Sequence, residues 1–332
     1  MNSINKGLIL FTSLLVPVTG YTASNTLYGD FRYSFNSIDN DVDSTLSGDS
    51  NASPLSGDSN ASRIGLKGST EEVDGISAFY HLQTGAAIAG TGSALTERFF
   101  LAGIKGDFGK VVVGRSSTPY KMAGLKVDPF YDTAAGKGLS GASYGLSGMT
   151  NGWSDNTFAY SKVVGDFSLN GGVYLDDTIA DEHDMNFGLA YSQEDMTVGF
   201  QYLSIGDTGV VANSGADSSA IRFHGSYTTG PWVVSGSIES VDPSVGDKQS
   251  FIYLATAWEA SEKLKIAGSY GAVDDVSVAD NGSAITVGAF FQLLEKTNVY
   301  ALFSAFSADD SAGADRSTLS LGVSHKISSK LM

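Results

Sequence analysis

Hydrophobic and polar residues alternate one by one along much of this chain. In 184–191 the run DMNFGLAY puts Met185, Phe187, Leu189 and Tyr191 on one side and Asp184, Asn186, Gly188 and Ala190 on the other. Met196, Val198, Phe200 and Tyr202 repeat the pattern against Thr197, Gly199 and Gln201, as do Phe167, Leu169, Val173 and Leu175 against Ser168, Asn170 and Tyr174. Ile221, Phe223 and Tyr227, then Leu264, Ile266 and Tyr270, then Leu319, Leu321 and Val323 continue it. A period of two belongs to strands, whose successive side chains point to opposite faces. The pattern predicts sixteen strands, at 27–36, 62–70, 75–85, 97–106, 110–118, 154–162, 166–176, 184–193, 195–205, 219–228, 231–241, 249–258, 263–273, 282–292, 297–307 and 316–327.

The polar face decides what surrounds these strands. It carries glycine, serine, asparagine and charged groups, too small and too polar for a packed core but suited to a water-filled lumen. No stretch beyond the N-terminus approaches the roughly 18 continuous apolar residues of a membrane-spanning helix. A closed barrel remains, because it pairs every backbone N–H and C=O while needing only one apolar face. The expected fold is therefore all-β, a 16-stranded antiparallel transmembrane β-barrel over residues 25–332. Short connections at 107–109 and 229–230 alternate with long polar ones at 36–61 and 206–218, which predicts periplasmic turns at one end and extracellular loops at the other. Pro54, Pro119, Pro129, Pro231 and Pro243 all fall in connections or at strand ends, as strands that cannot spare a donor require. In 251–258 and 299–306 both faces are apolar. A neighbouring subunit, a loop, or a different phase would each account for this.

Composition narrows the chemistry. Residues 1–24 have the form of a secretory signal: Lys6, an apolar stretch over 7–16, then small residues that permit cleavage after Gly20 or Ser24. With no cysteine there is no disulfide framework, thiolate metal site or cysteine nucleophile. None of His81, His183, His224 and His325 sits in a nucleophile motif, so catalysis is not expected. Asp39, Asp41 and Asp43 are spaced like calcium ligands, but the glycine and distal glutamate of an EF-hand loop are missing, and the triplet reads as a solvated acidic loop. LSGDSNAS occurs at 46–53 and again at 55–62, which reads as expansion of an exposed loop, since two copies are too few for a solenoid.

Four segments in order, LYGDFRYSF (27–35), SRIGLKGSTEEVDGISAFYHLQTG (62–85), ERFFLAGIKGDFGKVVVGRSSTPYK (97–121) and DPFYDTAAG (128–136), resemble the Gram-negative general porins of the neisserial type. The resemblance implies a homotrimer in the outer membrane, in contact with lipid and lipopolysaccharide, with no cofactor and no nucleic-acid partner. It implies a water-filled channel for passive diffusion of small hydrophilic solutes and ions, narrowed by an inward third loop at about 119–153. Asp128 and Asp132 on that loop would face a basic wall of Arg32, Arg63, Arg98, Arg115 and Lys67. Parity places Arg32 opposite in facing to Phe31, Tyr33 and Phe35, and Arg63 and Lys67 opposite to Ile64 and Leu66. Arg98 and Lys105 lie on opposite faces of an uninterrupted strand, and a bulge, or snorkelling of Lys105 at the membrane edge, would reconcile them. Two departures stand out: Ser154 where the family commonly has arginine before Asp155-Asn156, and an end at Ile327-Ser-Ser-Lys-Leu-Met rather than at an aromatic residue. With 36 acidic against 20 basic side chains, the net charge of −16 predicts a preference for cations. A solute-selective porin and a non-conducting adhesin or structural barrel are the alternative readings.

Overall fold

The computed structural model describes residues 22–40, 55–90, 94–134, 143–175, 183–206, 217–274, 281–309 and 315–331. Residues 1–21, Asp41, Asp43 and the first LSGDSNAS copy lie outside them. The strands of the first half are β1 (Thr22–Asn40), β2 (Leu55–Ser59), β3 (Arg63–Thr70), β4 (Ile76–Ala86), β5 (Leu95–Gly106), β6 (Gly109–Ser117), β7 (Trp153–Val164) and β8 (Phe167–Tyr174). Those of the second half are β9 (Asp184–Gln193), β10 (Met196–Ser204), β11 (Ser219–Thr229), β12 (Trp232–Asp242), β13 (Gln249–Ser261), β14 (Leu264–Asp274), β15 (Gly282–Leu294), β16 (Thr297–Ala308) and β17 (Arg316–Leu331). Neighbours pair antiparallel around a single sheet. β17 returns to β1, from Asn25 opposite Leu331 to Asn40 opposite Arg316, and closes the barrel.

Among the described residues, seventeen strands make sixteen staves because β2 and β3 share one. β1 pairs with β3 over Thr22–Asp30 and with β2 over Tyr33–Ser37. Between them Asn60, Ala61 and Ser62 break the stave, with Ala61 at a left-handed φ of 55°. The second LSGDSNAS copy thus builds barrel wall and break together, where the sequence pattern suggested only loop. Ser62 Oγ stitches the break shut by accepting from Arg32 N at 2.8 Å and donating to Arg32 O at 2.9 Å.

Short turns gather at one end. Gly165 at φ 57°, Glu194 at 41° and Gly230 at 55° supply the left-handed residues that tight hairpins need if their twist is to match the strands. Outward residues on the strands are large and apolar: Phe187 is 51 % exposed, Phe223 59 % and Ile238 64 %. Inward residues such as Asn186, Gln201, Ser237, Thr286 and Ser320 are buried and polar. The bulge that Arg98 required is present, because the β4–β5 register passes from Leu82 opposite Phe100 to Thr84 opposite Glu97 and gives β5 one extra residue.

The two segments with apolar residues on both faces have one explanation. Phe251, Tyr253 and Ala255 on β13, and Tyr300, Leu302 and Phe306 on β16, point inward and are buried by the long connection after β6. That connection is not structureless. Pro119–Val127 forms a helix, α1, whose N-cap Thr118 Oγ1 accepts from Lys121 N at 3.0 Å and whose first residue is proline. Val127 and Leu146 pack on Tyr253 and Ala255, Phe130 packs on Leu302, and Tyr144 meets Phe306 edge-on at 4.9 Å. Each such side chain contributes roughly 1.5–3 kcal/mol on full burial, enough to hold a loop inside a hydrated barrel.

The lipid-facing assignment has a direct test. Phe223 lies midway along β11 against Phe200, ring centroids 5.3 Å apart. Phe223→Arg will cost about 2–4 kcal/mol in denaturant unfolding from lipid vesicles, as a midplane charge facing hydrocarbon does.

Candidate functional site

The long connection after β6 meets the barrel wall at β1 and β3. Asp30 and Arg63 are direct cross-strand partners on these strands. Arg32 lies two residues beyond Asp30, on the same face, and the three side chains converge. Arg32 Nη2 and Arg63 Nη2 reach Asp30 Oδ2 at 2.7 and 3.0 Å. From the loop, Asp132 Oδ2 meets Arg32 Nη1 at 2.9 Å and Arg63 Nη1 at 2.7 Å. Two guanidinium and two carboxylate groups therefore close a neutral quartet, and Asp132 clasps the loop to the wall in place of facing a distant row of arginines. Its φ of 62° is left-handed, and the neighbouring Thr133 N bonds back to Phe130 O at 3.1 Å.

The remaining expected residues are placed as follows. Arg98 turns inward at the β5 bulge, donates from Nε to Gln83 Oε1 at 2.6 Å, and lies 4.7 Å from the Trp153 ring centroid. Arg115 pairs with exposed Asp155 at 2.7 Å. Lys67 lies deeper, its ammonium 5.6 Å from the Tyr28 ring. Asp128 does not face the basic wall. It is buried on the far side of the loop, accepting from Phe130 N at 2.9 Å, Ser143 Oγ at 2.9 Å and Tyr253 OH at 2.7 Å. Burial raises its carboxyl above the ordinary range despite these bonds. Its role in the geometry is to pin the loop to β13.

A second anchor was not anticipated from sequence. Arg222 on β11 and Glu239 on β12 are cross-strand partners, fully buried, with Nη2 to Oε2 at 2.7 Å. Both hold the loop: Arg222 Nη1 donates to Tyr120 O at 2.9 Å and Nη2 to Thr150 Oγ1, while Glu239 accepts from Tyr120 OH at 2.7 Å and from Ser147 N at 3.1 Å. In the sequence, Arg222 shares the polar phase of its strand.

Lys121 on α1 is buried with its ammonium 4.1 Å from the Trp153 ring centroid. Burial, with Arg98 adding repulsion, brings it down to about 7. Beyond the loop, toward the short-turn end, lies a cavity of about 890 Å³ whose lining includes Lys67, Lys105, Lys110, Lys126, His81 and His224 and no carboxylate.

Two measurements probe these anchors. Glu239→Ala strands a buried guanidinium and will lower unfolding stability by about 3–5 kcal/mol, whereas Arg222→Met combined with Glu239→Leu will recover most of the loss. For Lys121 the folded loop favours the neutral amine, so the unfolded chain takes up a proton first as pH falls below the ordinary 10.5. Its contribution to stability is full above that value, declines on acidification, and levels off below about 7. Wild type will therefore lose more stability than Lys121→Met between pH 9 and pH 6, as read by unfolding midpoints in detergent.

Comparison with known proteins agrees with this architecture. Residues 12–332 match the family described as Gram-negative porin. The major outer membrane protein P.IB of Neisseria gonorrhoeae is 30% identical over 149 residues, 44% of this chain. That stretch spans only 40% of the relative's own length. Among solved structures, an anion-selective porin from Comamonas acidovorans superposes with a TM-score of 0.71 at 18% identity, over 92% of this chain and 99% of that one. A trimer form of in-vitro folded OmpT from Vibrio cholerae gives 0.65 at 15% identity, over 91% and 99%. A neutral clasp of charges at a loop folded into a lipid-facing sixteen-stave cylinder, with a family match across nearly the whole chain, identifies this protein as an outer-membrane β-barrel of the Gram-negative porin family.

Proposed function

We propose that the protein is a passive channel for small hydrophilic solutes and ions, exported through a cleaved N-terminal signal and assembled as a trimer in contact with lipid and lipopolysaccharide, and that it prefers anions. The family and the fold support the channel, and the OmpT trimer form supports the assembly. The observation that carries the ion preference is where charge sits.

The net charge of −16 argued for cations. Midway along the strands, however, the inward carboxylates Asp30 and Glu239 are each neutralised by arginine. Turn carboxylates such as Glu71, Asp107, Asp166, Glu194 and Glu295, and those of the long connections, lie at the ends of the barrel. Screening over about 8 Å at physiological salt weakens their field within the lumen. Lys67, Lys105, Lys110 and Lys126 face the permeating ion directly. A low-dielectric wall focuses that positive field into the water column. The fold match to an anion-selective porin from Comamonas acidovorans agrees with this reading.

Purified protein in a planar bilayer under a potassium chloride gradient will give ohmic steps, with a reversal potential on the chloride side. Lys105→Gln combined with Lys110→Gln will move that potential toward zero. A wild-type potential on the potassium side would overturn the anion preference, and absence of steps would favour a non-conducting barrel.

A further inference from the structure

The basic wall is also an aromatic one. Trp153 opens the series at the level of the loop, with Arg98 and Lys121 over its ring at 4.7 and 4.1 Å. Phe99 meets Trp153 edge-on at 4.9 Å, and His81 stacks on Phe99 at 4.7 Å with only 21° between the planes. Tyr28 follows at 5.8 Å from His81, hydrogen-bonded to it, and carries Lys67 over its ring. Phe79, two residues from His81 on β4, has the Lys110 ammonium at 4.8 Å. The rings come from β1, β4, β5 and β7, so the track crosses staves and passes from the clasp into the vestibule. All five rings are half-buried, and Phe79, His81 and Phe99 line the cavity. Among the described residues Lys67, Lys105 and Lys110 have no carboxylate within ion-pair distance.

We propose that this wall selects, among small anions, those that carry a flat aromatic ring, with aromatic carboxylates as the simplest class. The inference rests on the anion-conducting reading above and goes beyond it. An aromatic carboxylate satisfies both elements of the wall at once: its carboxylate meets an ammonium that lacks a counter-charge, and its ring stacks offset or edge-on against Phe99, His81 or Trp153. A saturated ring of the same size and charge satisfies only the first. Bare rings alone would hold neutral arenes, and bare lysines would hold any anion. Their alternation over successive staves lets a solute be handed from one ring to the next without leaving a cation behind.

The test uses benzoate and cyclohexanecarboxylate, equal in charge and close in size, added to the full-length channel conducting chloride in a planar bilayer. Benzoate will reach half-block at a concentration about three to ten times lower, the range that an aromatic pair is worth beyond its area. Phe99→Leu will bring the two probes together, and Phe99→Tyr, which keeps a ring, will hold them apart; folding of each variant is checked by its heat-modifiable migration on gels. Equal block by the two probes in wild type, or a ratio that survives Phe99→Leu in a folded channel, would overturn the proposal while leaving anion conduction standing. If chloride itself does not carry the current, the anion reading fails instead. Should Phe99→Leu fail to fold, the wild-type ratio decides the matter alone.

Discussion

Hydrocarbon offers a backbone amide nothing to bond with, and every other feature of this protein follows from that. Each N–H and C=O left open in the membrane core costs several kcal/mol, so the strands must close into a cylinder with no edge. Closure by β17 on β1 over Asn25–Asn40 meets that demand. The cylinder then imposes a second condition, since sixteen staves enclose a water-filled space wider than side chains can fill. Into that space the chain folds back the long connection after β6.

The returning segment is held by three contacts of different physical kinds. Asp128 with Tyr253 and Ser143 is a buried hydrogen-bonded pin. Arg222 with Glu239 is a desolvated ion pair whose remaining donors and acceptors are largely taken by loop atoms. Asp132 with Arg32 and Arg63 is a partly hydrated clasp on the opposite side. The apolar patches of β13 and β16 add a share that does not depend on charge. Because clasp and anchor both consume arginines, the inward positive charge without a carboxylate partner comes from Arg98 and from lysines deeper in the lumen.

The cylinder was legible because its two solvents differ sharply. Where one face is lipid and the other water, as at Met185–Tyr191, alternation is unambiguous, and the stave count follows from counting alternating runs. β2 escaped notice because Leu55–Ser59 is glycine, serine and aspartate beyond its first residue and shows no apolar phase. Arg32 and Arg63 lie in the polar phase of their strands and meet Asp132, which the family resemblance alone singles out. Asp128 was assigned to the wrong side of its loop, because a loop has no period from which to read facing. Arg222 and Glu239 carried a usable signal: each lies seven residues from the turn between β11 and β12, so the hairpin puts them opposite one another. Trp153 begins β7 one residue before the alternating run that starts at Ser154.

The break at Asn60–Ser62 has a further consequence for how such a wall can change length. The two eight-residue copies start nine residues apart, an odd number, and in a continuous strand an insertion of nine would turn every later side chain to the other face. Arg63 and Lys67 would then point into lipid, and Ile64 and Leu66 into water. A left-handed joint at Ala61, sewn to Arg32 by Ser62, resets the phase before β3 begins. Residues can thus be gained or lost in the connection above the joint while Arg63 and Lys67 below it keep their inward facing, so change in the one leaves the charged cluster of the other in place.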